Sequence, residues 1–373
     1  MYRSSKQPAR GGLALSLSKG CLAALGLAAL VPTAARAQTQ DLIVSNQDFG
    51  TRTNSVTRLT ATGPGTFAAR GTNIPSYGPV PQGLAYDTHG NLFVASFNNN
   101  GGTGLISVLK AGATPGTFDP AYFVATGLSS PVGLAFDARG NLFTAQYGNL
   151  GAGDGKITMY APGATPGTLG AATTFASGLS NPMGLAFDAQ GDLFAAISQG
   201  SGGSGSISKF AFNAVTGTFG ASQTLTAPSL SNPDGLAFDA RGDLFVSNRG
   251  ANTLTEFALN PLTGALGAGT TFATGLNGPA GLAFDALGNL YAANSNTGSS
   301  ISKFAFNPAT GAFGSAQNIT AINLSGPNFL AFGPLGPPAV PEASTTVSFG
   351  LLLALSLGGL VIAARRKKAS SSL

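Results

Sequence analysis

The chain has 373 residues, with 19 Lys and Arg, 14 Asp and Glu, one His and one Cys. Five of the cations lie in residues 1–37 and four in residues 365–368, while only Glu342 among the carboxylates lies outside 38–340, so the body carries 10 cations against 13 carboxylates. The basic overall balance therefore belongs to the ends and gives no reason to expect a nucleic-acid partner. A body with no cysteine has no disulfide, no thiol nucleophile and no thiolate metal ligand.

Residues 1–37 are expected to form an export signal. Arg3, Lys6, Arg10 and Lys19 precede an apolar run from Cys21 to Val31, and Ala35-Arg36-Ala37 supplies the small-x-small pattern of a signal-peptidase site. A retained membrane anchor is the alternative, although the apolar run is short for a bilayer.

The body from residue 38 to 334 is written in repeats. Gly-Leu-Ala-Phe/Tyr-Asp, a short turn, then Asn/Asp-Leu-Phe/Tyr starts at Gly83, Gly133, Gly184, Gly235 and Gly281, and Phe329-Leu-Ala-Phe-Gly333 is a sixth, degraded copy. A spacing of 46 to 51 residues is that of a four-stranded propeller blade. In Gly133-Leu-Ala-Phe136 large and small residues alternate with the period of a strand, which suits face-to-face packing of neighbouring sheets. Asp137-Ala-Arg-Gly140-Asn141 is a hairpin turn, and Leu142-Phe-Thr-Ala145 is the returning strand.

Weaker third strands follow, including Ile157-Thr-Met-Tyr160 and Ile207-Ser-Lys-Phe210, with alternate polar residues expected near the rim. Fourth strands include Tyr122-Phe-Val-Ala125 and Thr174-Phe-Ala176. The body opens with a second strand that has no first, Asp41-Leu-Ile-Val-Ser-Asn46, and closes with a first strand that has no second, Pro327 to Gly333. Joined, they complete one blade. The prediction is an all-β, six-bladed propeller closed by pairing of the chain's two ends.

Beyond the body, residues 335–346 read as a linker, Val347 to Ala364 as an uncharged 18-residue apolar span, and 365–373 as a tail opening with Arg365-Arg-Lys-Lys368. Length and flank fit a transmembrane helix with its basic end in the cytoplasm.

Pro341-Glu342, the apolar span and the basic terminus, in that order, resemble the PEP-CTERM sorting signal of Gram-negative bacteria, although Ala343 stands where that motif carries a second proline. The resemblance implies an exosortase-type processing enzyme as partner, transient inner-membrane anchoring, and a final place on the cell surface or in an extracellular, polysaccharide-associated biofilm matrix. The repeat itself resembles NHL-type repeats and, more distantly, gluconolactonase-like six-bladed propellers over residues 41–334.

Catalytic inventory is thin. The single histidine, His89, sits in the turn Asp87-Thr-His-Gly90, and the repeated Asp87, Asp137, Asp188, Asp239 and Asp285 share one hairpin position, which marks them as turn formers. The residues between Pro and Gly at the channel mouth read Gln82, Val132, Met183, Asp234 and Ala280, with Asn328 at the same position of the degraded copy. Pro233-Asp234-Gly235 is similar to the segment whose aspartate binds the divalent metal in gluconolactonase-like enzymes, but Met183 replaces the Asn expected one repeat earlier and no position is Glu. Asp234 with Gln82 and Asn328 is thus at most a weak divalent-cation site.

Asn248, Arg249 and Asn294, after second strands, are further candidates to face a ligand. No other cofactor is expected. The sequence favours an exported binding or scaffold propeller, whose partners are extracellular polysaccharide or matrix proteins. A divergent metal-dependent lactone or ester hydrolase centred on Asp234 is the alternative, and a structural protein-interaction module of a matrix is the third.

Overall fold

The computed structural model describes residues 40–334 except 48–53, 64, 75–79, 98–102, 114–116, 149–152, 200–203, 297–298 and 322. The expected cleavage residues Ala35 and Ala37, the sorting residues Pro341 and Glu342, and the two apolar end segments lie outside the described residues. No helix among the described residues is long and apolar enough to cross a membrane.

Six four-stranded antiparallel sheets account for nearly all the regular structure. Blade 1 joins the two ends of the described chain, in the order Pro327–Phe332, Leu42–Asn46, Ser55–Leu59, Thr72–Ile74. The closing register pairs Leu42 with Phe332, Ile43 with Ala331 and Val44 with Leu330, as the incomplete end repeats predict. Blades 2 to 6 follow in chain order, with first strands Val80–Tyr86, Pro131–Phe136, Pro182–Phe187, Pro233–Phe238 and Pro279–Phe284. Closure removes the exposed edge that a linear stack would leave at its seam.

The alternation of large and small residues does what a propeller requires. Leu134 and Phe136 of blade 3 pack on Phe93 and Ala95 of blade 2, while Ala135 on the other face joins Leu185 and Leu193 of blade 4. Six apolar clusters of this kind sit between the blades, one per interface. At their centres Phe93, Phe143, Phe194, Phe245 and Tyr291 are fully buried and make edge-to-face contacts such as Phe143 with Phe187, centroids 5.2 Å apart.

Each hairpin turn is held by its aspartate. Asp137 Oδ1 accepts the backbone N–H groups of Arg139 (2.9 Å) and Asn141 (2.8 Å), and Asp87, Asp188, Asp239 and Asp285 repeat the pattern. These five carboxylates are turn formers, as the sequence indicates.

The third strands depart from expectation. Their alternate polar residues Ser107, Thr158, Ser208, Thr255 and Ser302 are buried, not rim-exposed. Thr158, Thr255 and Ser302, with Thr57 in blade 1, are half of an internal clamp, whereas Ser107 has no partner for its hydroxyl. Asn248 donates to Thr255 (2.8 Å) while its Oδ1 accepts Ser231 N–H (3.2 Å). Asn294 does the same with Ser302 (2.9 Å) and Asn277 N–H (3.4 Å), Asn46 with Thr57 (2.7 Å) and Ser325 N–H (3.4 Å), and Gln146 with Thr158 (2.6 Å) and Ser129 N–H (3.0 Å). One amide thereby ties the third strand to the loop that feeds the first, satisfying buried polar groups that would otherwise cost stability.

Where the inner strands meet, glycine is obligatory. A Cβ on Gly83, Gly133, Gly184 or Gly235 would collide with the carbonyl oxygen of Val132, Met183, Asp234 or Ala280 on the next inner strand. Gly184→Ala is therefore expected to destabilise the fold by about 2–3 kcal/mol, read as a lowered denaturation midpoint. Deletion of the chain from Pro327 onward strips blade 1 of its inner strand, and the expected result is loss of a single cooperative melt.

Candidate functional site

In every blade the register between first and second strands slips at the Pro-x-Gly segment, as between Pro233 and Leu236 or Pro131 and Leu134. A bulge of this kind releases one residue from the strand alternation and re-aims it. The six x residues consequently ring the start of the inner strands at one end of the central channel. Going round the ring they are Asn328, Gln82, Val132, Met183, Asp234 and Ala280, so an amide pair stands across from a single carboxylate, with apolar residues between.

The amides hold each other. Asn328 Nδ2 donates to Gln82 Oε1, and Gln47 Oε1 lies 3.4 Å from Gln82 Nε2 and 3.5 Å from Asn328 Nδ2. Asn328 Oδ1, buried, has no partner.

Asp234 is the exceptional group. It is 2% exposed, and neither carboxylate oxygen has a hydrogen-bond partner. Its nearest cation is Arg249, whose Nη1 stands 3.7 Å from Oδ2, close enough for ion pairing and too far for a hydrogen bond. Burial pushes the Asp234 carboxyl up to about 6, and the Arg249 guanidinium pulls only partly the other way. Tyr147, on the neighbouring rim, has its phenol raised by burial and then by the Asp234 charge, with Arg249 opposing. It stays protonated across the physiological range and is available as a donor.

Arg249 is placed by a tight turn. Its N–H donates to Asn232 O (3.2 Å), Gly250 N–H to Ser231 O (3.1 Å), and Ala251 N–H to Asn248 O (3.2 Å). Behind Asp234, Ser247 accepts Gly235 N–H (2.7 Å) and donates to the Ala280 carbonyl, stitching the inner strands of blades 5 and 6 together. The backbone segments that carry Asp234 and Arg249 are thus both held in place.

Of the residues singled out in the sequence, Asp234, Arg249, Gln82 and Asn328 come together at one channel end. Asn248 and Asn294 do not face a ligand; they are consumed by the clamp described above. Gln47 was not among the residues expected to bind; it and Tyr147 occupy the same repeat column as Arg249, directly after a second strand.

The donor set does not suit a divalent centre. Asp234 is the one carboxylate of the ring, a guanidinium already sits beside it, and Val132, Met183 and Ala280 contribute no ligand atom. Among the described residues no three His, Cys, Asp or Glu cluster as metal ligands. The weak metal site expected at Asp234 is better read as a carboxylate and guanidinium pair.

A family model described as "Lactonase, 7-bladed beta-propeller" matches residues 204–332, from the third strand of blade 4 to the inner strand of blade 1. The chain closes with six blades, one fewer than that description. Among solved structures it is similar to a periplasmic gluconolactonase of Pseudomonas aeruginosa, with 20% identity, 80% of this chain and 99% of that chain covered, and a TM-score of 0.56. A putative 6-phosphogluconolactonase of Bacteroides uniformis gives 20% identity, coverage of 77% and 84%, and 0.56. One from Bacteroides fragilis gives 16%, 79% and 98%, and 0.56. The shared feature is the β-propeller fold. Identities this low speak for the fold alone. A comparison with curated proteins gives no match.

An ionised carboxylate held in this way burdens the folded state. The folded carboxyl titrates near 6 against 3.8 in the unfolded chain, so the penalty is absent below pH 3.8, grows between the two values and is complete above 6. A difference of that size corresponds to on the order of 3 kcal/mol. Asp234→Asn is expected to raise the melting temperature at pH 7.5 and to leave it nearly unchanged at pH 3.5, measured by calorimetry at both.

Proposed function

We propose that the protein hydrolyses a small uncharged lactone of the polyhydroxy type, with Asp234 as general base and Arg249 as electrophilic support. The observation that carries this reading is the buried Asp234 carboxylate, unpartnered on both oxygens and 3.7 Å from Arg249. Strongly perturbed groups with a specific charge partner in a concave site are characteristic of catalysis. The lactonase names of the fold's relatives favour this alternative over the non-catalytic scaffold that the sequence suggests.

The chemistry follows from the geometry. Asp234, ionised above about pH 6, takes a proton from a water molecule as its oxygen bonds to the lactone carbonyl carbon. The carbonyl oxygen becomes an oxyanion, and the Arg249 guanidinium and the Tyr147 hydroxyl stabilise it. Collapse breaks the ring C–O bond, and the departing alkoxide recovers the proton from Asp234, which leaves an open hydroxy acid. On the opposite side of the ring, Asn328 Oδ1 and the Gln82 amide receive substrate hydroxyl groups. The charge of Arg249 is largely offset by Asp234, so the site is tuned to a neutral substrate and not to a phosphorylated one.

The place of action that fits residues 1–37 and 335–373 is outside the cytoplasm, after removal of the signal by signal peptidase and processing by an exosortase-type enzyme. A polysaccharide-rich matrix there is the expected surrounding.

The purified chain is expected to open D-glucono-δ-lactone faster than its spontaneous hydrolysis, with kcat/KM rising tenfold per pH unit below about 6 and level above it. Asp234→Asn should lower kcat by roughly 100-fold or more. Hydrolysis above background that survives this substitution would refute the assignment of the base. Arg249→Met is expected to lower kcat and to move the acid limb of the pH profile upward, because the guanidinium no longer opposes the effect of burial on Asp234. Dialysis against a chelator should leave the rate unchanged, and a lost rate restored by calcium would return the site to metal chemistry.

A further inference from the structure

The six blades are internal controls for one another, and on the face opposite Asp234 two of them carry a paired-ring filling that the others replace with smaller residues. In blade 4 the end of the third strand pairs Phe212 with Phe219, and in blade 6 the same positions pair Phe306 with Phe313. Phe219 packs edge-to-face on Phe143 (5.9 Å) and Phe313 on Phe245 (5.5 Å), closing the gap to the preceding blade. The preceding blade's turn supplies an arginine as cover. Arg139 lies 4.4 Å from the Phe212 ring and donates to Gly217 O (3.1 Å); Arg241 lies 5.5 Å from the Phe306 ring and donates to Gly311 O (3.0 Å).

Blade 3 has the same backbone pairing with different residues, Pro162 against Leu169. The covering position, held by Arg139 and Arg241 elsewhere, is His89. Two phenyl rings and a guanidinium are thereby replaced by a proline, a leucine and an imidazole. The result is a cavity of about 390 Å³ between blades 2 and 3, with Phe93, Phe136 and Leu169 in its lining beside His89 and the charged Asp137 and Arg139. That volume falls within the range of small-molecule sites, roughly 300–1,000 Å³.

We propose that this cavity is a binding site for a small aromatic molecule carrying a polar substituent, of the phenol or benzyl alcohol class. Its ring takes the space beside Leu169 that Phe219 and Phe313 fill in the other two interfaces, where they lie on Phe143 and Phe187 and on Phe245 and Phe284; here the rings it meets are Phe93 and Phe136. Pro162 covers the turn glycine, 3.5 Å from where a Cβ on Gly140 would stand, as Phe212 and Phe306 cover theirs. The polar substituent lies toward His89, whose side chain is 59% exposed and whose Nδ1 lies 3.4 Å from Thr88 Oγ1, so its other ring nitrogen can meet a hydroxyl. The apolar rings offer the guest a face to pack on, and the polar side of the lining receives its substituent.

The experiment titrates p-cresol, with cyclohexanol as the aliphatic comparison, into the full chain by calorimetry and protein-observed NMR. Expected are millimolar or tighter binding of p-cresol, at least tenfold weaker binding of cyclohexanol, and contacts from the p-cresol ring to Phe93 and Phe136. The variant Pro162→Phe with Leu169→Phe rebuilds the sister interfaces; it should melt higher than the parent and lose p-cresol affinity at least tenfold. Leu169→Phe alone serves if the double variant fails to fold. Asp234→Asn should bind p-cresol as the parent does, which separates this site from the proposed lactone site. Absence of contacts to Phe93 and Phe136, or undiminished affinity in the filled variants, would overturn the proposal.

Discussion

The molecule depends on how closely its inner strands approach one another. With Gly83, Gly133, Gly184 and Gly235 set against the carbonyls of the next strand, the ring closes to a radius at which nothing larger than hydrogen fits between backbones. That closeness has two effects. It brings six x residues within reach of one another across a narrow channel, and it leaves the larger side chains Leu134, Leu185, Leu236 and Leu282 to fill the widening gaps between blades. The degraded sixth repeat departs from the rule, with Phe329 in the glycine's place. There Ser45 accepts Phe329 N–H (2.9 Å), in the same column as Ser247 at Gly235. Both ends of the chain are thus secured at the seam by a hydroxyl as well as by the strand ladder.

Within that ring, stability and chemistry pull in opposite directions. In four blades buried polar groups are satisfied economically: the Asn46, Gln146, Asn248 and Asn294 clamps each use both ends of an amide. Asp234 is left with both oxygens unmatched and a guanidinium held just beyond hydrogen-bond distance. A second cation or a donor placed nearer would lower the carboxyl's pKa and stabilise the fold, and would also remove the base from the pH range where it can accept a proton. The 3.7 Å between Arg249 and the carboxylate is therefore a compromise between folding and proton transfer.

Most of the fold is legible in the residues. Pro-x-Gly, the alternation after it and the Asp-x-x-Gly-Asn/Asp turn report backbone requirements directly, and the split blade follows from counting first and second strands. The third strands were harder, because Ser and Thr at alternate positions look like a solvent-facing pattern. Their burial becomes intelligible only with the second-strand amides beside them, a pairing that lies seven to twelve residues away in sequence. The site was half legible. Asp234 stands out as the only carboxylate among the x residues, but its partner comes from another repeat column, and period alone does not say which columns share a channel end. Asn248 and Arg249 are neighbours in sequence, yet one is sealed inside the blade and the other reaches the channel.

A repeat protein also discloses function by where it breaks its own rules. Five hairpin aspartates at one position accept the same N–H groups, and that sameness marks them as structural. At the x column three apolar residues, two amides and one carboxylate occupy equivalent backbone sites, so the backbone does not dictate the choice of residue there. The same logic separates the two faces. On one, Asp234 differs from its five counterparts in charge; on the other, Pro162 and Leu169 differ from the Phe212–Phe219 and Phe306–Phe313 pairs in volume. A departure in charge creates a reactive group, whereas a departure in volume creates space. Because first strands of six residues separate the two ends in most blades, an aromatic guest between blades 2 and 3 and a lactone at the channel end would occupy the protein without touching.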